Sequence, residues 1–421
     1  MEIVNFAFGS YSVVNDILNI KLNFYATFLA ICIVLWLGVF ITKRWSLLRN
    51  YSIPIPVTGG LVVAFLLFLL QVIWNVKIGF EESIKEPFML MFFTSVGLSA
   101  DFNILKKGGK LLVLFGISVC TFLFVQNIIG ISVITILGEN PLIGLLAGSV
   151  TLSGGHGTGA AWGAVFSQSP YSFPLAVEVA MASATYGLIA GGLLGGPVAG
   201  RLIKRYNLKP TDKVSKNSLS DEVFSEPLKP RLITSESLLK TLGLFAISMF
   251  VGTTIGELSK GSFITIPTFV WCLFAGIIVR NLLSYFKIHQ IFDREVGVIG
   301  NVSLFFFLAM ALMSLNLVEL TKIAGPLTIL LGIQTIAMVL WARYITFGIC
   351  GKDYDAACLV AGHCGFGMGA TPTAVANLQA VTNQFGPSHI AFIVVPIMGG
   401  FFVDIANVLV ISTFLVLPIF P

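Results

Sequence analysis

Two stretches of this chain have residues whose type and spacing can do chemistry. The first is Ser153-Gly154-Gly155-His156-Gly157-Thr158-Gly159-Ala160-Ala161-Trp162. The second is Gly362-His363-Cys364-Gly365-Phe366-Gly367-Met368-Gly369-Ala370-Thr371-Pro372-Thr373. Both read Gly-His followed by alternating glycines, and both are embedded in apolar sequence. Glycines this dense continue a helix poorly, because each loses much backbone freedom when fixed. Backbone that leaves the helix at membrane depth must line a protein-walled or watered cavity, since lipid offers its N–H and C=O groups no partner. Two broken segments at corresponding places in two halves point to the binding site of a secondary transporter. Bare N–H groups at their tips, and the positive end of any short helix starting there, attract an anion by about 0.3–1 kcal/mol or more. Gly155, Gly157, Gly159, Gly365 and Gly367 let backbone approach a ligand, while Ser153, Thr158, Thr371 and Thr373 add hydroxyl donors.

The elements that must position these segments are membrane spans. The 421 residues are 56% hydrophobic and 11% charged, against about 25% charged in a soluble domain. Apolar runs long enough to cross about 30 Å of hydrocarbon recur throughout. The net charge of +5 is carried by short basic loops beside those runs, which argues against nucleic-acid binding. The six cysteines include no CxxC pair, so neither a zinc nor a disulfide framework is expected. No cleavable signal peptide is expected before the first span.

Ten spans are expected: about 24–41, 54–74, 87–101, 111–137, 174–203, 237–257, 267–280, 295–316, 324–349 and 389–416. Residues 1–22 are mixed and are expected at the membrane surface. The polar stretch 206–235 reads as a hydrophilic linker between a first half, 1–205, and a second, 236–421. Basic loops at 42–50, 106–110, 201–231 and 280–294 belong in the cytoplasm by the positive-inside rule. Both termini then lie outside. Segment 141–168 must enter from outside and return, and segment 356–385 must enter from the cytoplasm and return. Five spans per half make the halves inverted. Matching letters agree: Ile53-Pro54-Ile55-Pro56 with Ile264-Thr265-Ile266-Pro267, Val125-Gln126-Asn127 with Ile333-Gln334-Thr335, and Gly155-His156 with Gly362-His363. Each pair is separated by about 210 residues, as a duplication requires. The expected fold is an all-α polytopic membrane protein of two inverted five-helix repeats, each with a re-entrant hairpin between its fourth and fifth helices.

Leu152 to Trp162 and Ala361 to Val381 resemble the bacterial sodium/glutamate symporter family. Pro56 to Gly60, Gly300 to Met313 and Phe385-Gly386-Pro387-Ser388-His389 are similar to it as well. The resemblance runs from the first span to the last and fails over 1–22 and 206–235. It implies sodium-driven uptake of L-glutamate across the bacterial inner membrane, with Na+ as the coupling ion and no cofactor. The related sodium/citrate carriers imply a homodimer in which a transport unit slides against a scaffold.

On that reading the tips hold glutamate. Sodium, a hard cation, takes oxygen ligands from unwound carbonyls and from polar side chains. Asp404, halfway along the last span, is costly in hydrocarbon and is a functional residue by default. Asn377, Asn127 and Asn301 are further oxygen donors, each of which also fits a helix-packing hydrogen bond. His156 and His363 suit either a site or a buried, hydrogen-bonded role; metal binding is not expected, because no third ligand accompanies them. Arg343 is read as snorkelling to the cytoplasm and Glu178 as an interfacial charge. The run Gly191-Gly192, Gly195-Gly196 and Gly200 is read as a close helix-packing face. A carrier of another dicarboxylate or amino acid, a channel, and an intramembrane enzyme are the competing readings. An inverted two-fold repeat does not make the pore-lining rings of a channel. No carboxylate lies near the histidines in sequence to orient a catalytic base.

Overall fold

The computed structural model describes residues 4–14, 17–46, 48, 53–102, 109–210, 232–259, 266–286, 291–315 and 317–420. Most of the linker expected at 206–235, together with Lys106, Lys107, Ile264 and Thr265, lies outside them.

The chain opens on a small sheet. Strands β1 (Val4–Phe6), β2 (Gly9–Val14) and β3 (Ile17–Leu22) form an antiparallel meander, and β3 pairs in parallel with β4 (Val76–Gly79), Leu18 opposite Val76. The all-α expectation is corrected here. Ile17-Leu18-Asn19-Ile20-Lys21-Leu22 has the alternation a half-covered strand needs, but its partner begins two residues beyond the second transmembrane run. Asn75, left-handed at φ 53°, ends that helix and turns the chain into β4.

Helices α1 (Phe24–Arg44), α2 (Ile55–Trp74) and α3 (Lys85–Ser99) follow. Asn23 caps α1 by accepting from the Ala26 N–H, and Pro56 stands in the first turn of α2, where no intrahelical donor is lost. Next come α4 (Gly109–Ile136), the broken segment of α5 (Pro141–Leu145) and α6 (Gly155–Phe166), and α7 (Ala176–Tyr206). The second half holds α8 (Ser235–Leu258), α9 (Thr268–Phe286), α10 (Asp293–Met313) and α11 (Leu317–Leu340). A second broken segment, α12 (Tyr354–Phe366) and α13 (Thr371–Phe385), precedes the last span, α14 (His389–Ile397) with α15 (Val403–Leu415). Widened π turns at Leu146–Val150, Trp341–Thr346 and Met398–Phe402 interrupt the helical runs.

The protein is mostly helical, and among the described residues nine helices are long and apolar enough to cross a membrane. The tenth expected span, α3, has 15 residues, short of the roughly 17–25 a membrane helix needs. Helix α9 runs six residues past the expected end at Arg280, because Arg280 is not a boundary charge. It is buried and paired with Asp101 at 3.2 Å and with Asp293.

The helices gather into two bundles. Helices α1–α3 pack with α8–α10, and α4–α7 pack with α11–α15. Their common boundary is thin. Helix α6 meets α10 there, where Phe92 and Leu304 close over Gly157.

Candidate functional site

Both short helices α6 and α13 begin at the tips of their broken segments, deep in the second bundle. The outer starts of these segments are capped by side chains. Asn140 accepts from the Leu142 N–H at 2.9 Å and Asp353 from the Ala356 N–H at 2.8 Å. The inner starts are not: neither Gly154 before α6 nor Ala370 before α13 supplies a side-chain cap. Their first-turn N–H groups lack the usual partner, and the positive ends of the two helices share one neighbourhood.

The tips touch. Gly155 takes the left-handed φ of +67°, and a Cβ there would lie 3.4 Å from the Gly369 carbonyl oxygen. Gln126 of α4 joins the tips, its Nε2 donating to the Gly367 carbonyl at 2.8 Å while its Oε1 accepts from the Ser153 hydroxyl at 2.7 Å. Gln334 of α11 donates to the Gln126 carbonyl at 2.7 Å. Helix α7 lies close against the second tip: a Cβ at Gly187 would collide with the Met368 carbonyl, and the Gly191 carbonyl accepts from Asn377 Nδ2 at 2.8 Å. Within the expected glycine run of α7, Gly191 and Gly195 thus lie on a packing face, while Gly196 looks into open space.

Thr158, Thr373 and Asn377 are buried, and the Thr373 hydroxyl has no partner among the described residues. Thr371 donates to the Gly399 carbonyl in the π turn before α15. The two histidines do different work. His156 Nε2 lies 3.1 Å from the Thr185 hydroxyl, whose own proton goes to the Met181 carbonyl, so the ring nitrogen donates. His363 points away from its tip into the rings of Phe115, Phe122 and Phe366. Its Nδ1 is 2.9 Å from the Thr346 hydroxyl, which in turn meets Ser118 at 2.9 Å.

A second polar cluster surrounds Ser149, at the bend of the first segment, where Gly148 leaves helical geometry at φ −101°, ψ −135°. Asn127 Oδ1 accepts from the Ser149 N–H at 2.9 Å, and Asn407 Nδ2 donates to the Ser149 carbonyl at 2.8 Å. Asn127 Nδ2, the Ser149 hydroxyl and Asn407 Oδ1 stay buried without partners. Asp404 is half-buried one turn before Asn407, with no ion pair or hydrogen bond among the described residues. Asn301 is exposed on α10, one turn from Leu304 on the boundary with α6, and is not part of either cluster. Sequence reasoning passed over Gln126, Gln334 and Ser149 as site residues. The duplicated Gln at one offset was the available signal.

A cavity of about 610 Å³ lies between the bundles at the far end of α6. It joins Glu82, Lys85 and Glu86 to Trp162, Gln168 and Thr268.

The sodium/glutamate symporter family model matches residues 20–387. A sodium/glutamate symporter of Escherichia coli (strain K12) is 48% identical over 400 residues, 94% of this chain and 98% of that protein. One from Haemophilus influenzae is 46% identical over 389 residues, covering 91% and 95%. A solved sodium proton antiporter from Methanocaldococcus jannaschii spans 93% of this chain and 97% of its own, at 13% identity and a TM-score of 0.43.

Proposed function

Because this chain belongs to the sodium/glutamate symporter family, we propose that it carries L-glutamate into the cell together with sodium, across the bacterial inner membrane. It is a transporter and not an enzyme. The observation that carries the reading is the meeting of two uncapped helix starts at the tips of α6 and α13. Such a site offers N–H donors and two positive helix ends to a dicarboxylate, without a fixed arginine clamp that would hold it against release.

The arrangement is read as two inverted repeats, 1–205 and 236–421, joined by a cytoplasmic linker at 206–235. Segments 141–168 and 356–385 are re-entrant and both termini are periplasmic. The contact of Gln126 with Gln334, one at each corresponding place, supports this pairing, as do the equivalent starts of α6 and α13. Glutamate is assigned to Ser153, Gly155, His156, Gly157, Thr158 and Gly159 on one tip. On the other it is assigned to Gly365, Gly367, Thr371 and Thr373, with His363 behind them as a support of the second tip. Sodium is assigned to Asp404 with Asn377 and Asn127. The unpaired oxygens of Ser149 and Asn407 stand beside Asn127, while Asn301, the fourth residue of the sodium assignment, lies exposed on α10 apart from them. The second bundle is read as the unit that moves and the first as the scaffold and dimer contact, an elevator-type alternating access. The 610 Å³ cavity then becomes the outer vestibule.

Inward sodium supplies about 2.3 kcal/mol per charge per 100 mV. Radiolabelled L-glutamate uptake into proteoliposomes, under an inward sodium gradient against an inward potassium gradient, tests the proposal. Uptake with sodium alone is expected. Equal uptake with both ions would remove the coupling, and no uptake with either would redirect the search to another dicarboxylate or amino acid.

A further inference from the structure

At the basic end of the second bundle, a cavity of about 450 Å³ lies between α7 and the π turn that follows α11. Its wall on α7 is Val198, Arg201, Leu202 and Arg205, the i, i+3, i+4, i+7 positions of one helix face. Val339 and Arg343, one turn apart, form the opposite wall, and Lys204 stands at the rim. Four cations therefore surround a floor of Val198, Leu202 and Val339. None of them has a carboxylate partner among the described residues. Three of them lie over aromatic faces: Lys204 over Phe385, Arg205 over Tyr206 and Arg343 over Tyr344. Arg280, by contrast, is the same residue type in the first bundle, and two aspartates neutralise it.

Repulsion among cations that have no carboxylate partner among the described residues calls for an anion. Helix-end charge accounts for part of the set, since Lys204 and Arg205 stand in the last turn of α7. It does not account for Arg201, a full turn further in, or for Arg343, which comes from another helix and is half-buried. Two guanidinium forks lining one cavity from different helices fit the oxygens of a phosphate diester better than ammonium groups do. The apolar floor leaves a soluble anion without a match on that side, but suits the first carbons of an acyl chain.

We infer that this cavity is a binding site for the headgroup of an anionic phospholipid, seated between Arg201 of the first half and Arg343 of the second. Because α7 and α11 both belong to the second bundle, such a lipid would join the two halves of the unit assigned above to movement. The inference rests on the membrane placement of α7 and α11 and not on the identity of the cargo.

The test uses the full chain purified in a neutral detergent. The melting temperature is followed while phosphatidylglycerol, phosphatidylcholine with the same acyl chains, or glycerol 1-phosphate is added. A saturable rise with phosphatidylglycerol is expected, with neither of the others reproducing it. The double variant Arg201→Gln/Arg343→Gln should lose more than half of that rise. Lys204→Gln/Arg205→Gln, altered in the last turn of α7, should lose a smaller share and guards against a misfolded first variant. No rise in the wild type, an equal rise in the Arg201→Gln/Arg343→Gln protein, or the same rise with glycerol 1-phosphate would each overturn the inference. Sodium-driven glutamate uptake by the same preparations reads the transport assignment separately, since lipid-dependent melting and uptake can fail independently.

Discussion

The two bundles are made from the same kinds of residue and are built in opposite ways. Helices α1–α3 and α8–α10 run without a π turn or a proline beyond the first turn among the described residues. The π turns at Leu146–Val150, Trp341–Thr346 and Met398–Phe402 all fall in the other bundle, and so do the internal prolines Pro197, Pro326 and Pro396. The first bundle presents large apolar side chains outward, such as Trp36, Leu239 and Phe250. Arg280 pairs there with Asp101 and Asp293 at one end. The second buries Gln126, Asn127, Ser149, Gln334, His363 and Asn407 along its interior. The first bundle buries polar groups too, Thr94, Glu295 and Ser303 among them, but in unbroken helices. Buried polar groups and broken helices are both costly, so the bundle that combines them is where ligand chemistry can offset them. The regular bundle is suited to holding its place in lipid.

That contrast breaks first at Gly187. A Gly187→Leu side chain would drive α7 off the Met368 carbonyl, and uptake should be abolished with a fall in melting temperature; retained transport would show that α7 need not seat the second tip. Asp404→Asn should raise the sodium concentration for half-maximal uptake about tenfold, equivalent to about 1.4 kcal/mol. An unchanged sodium dependence would take Asp404 out of the ion site. Removing one hydroxyl hydrogen bond costs about 0.5–1.5 kcal/mol, so Thr158→Val should raise the half-saturating glutamate concentration severalfold and leave melting little changed. Full affinity would show that its hydroxyl is not used. Arg280→Gln sharpens the comparison from the other side. It should lower the melting temperature, because the partly buried Asp101 loses the Arg280 cation, while both half-saturation values stay where they were. A shift in either would make the first bundle part of the site.

Much of the fold could be read in advance because apolar length and charge at loop ends are local properties. The starts of α1 after Asn23 and of α2 at Pro54–Pro56 are examples, and so are the two glycine segments. The sheet was hidden because β3 and β4 are separated by two whole helices and pair through backbone. Residue type in those short strands says little about register. Arg280 looked like a helix boundary because a charge at the end of an apolar run usually is one; its two aspartates come from just past α3 and from the first turn of α10. The histidines stand at matching letters but not in matching environments. Thr185 and Thr346 decide which way each ring turns, and both partners lie outside the Gly-His motifs. The clamp by Gln126 was visible only as a repeated letter, since its role depends on Gly367 arriving from 241 residues away.

The most direct test of the account is a cryo-electron microscopy map of the full chain in sodium and L-glutamate. The account predicts glutamate density between Gly155 and Thr371, with its carboxylates at the first turns of α6 and α13. Density confined to the cavity lined by Glu82, Lys85 and Glu86, with both helix starts empty, would contradict it.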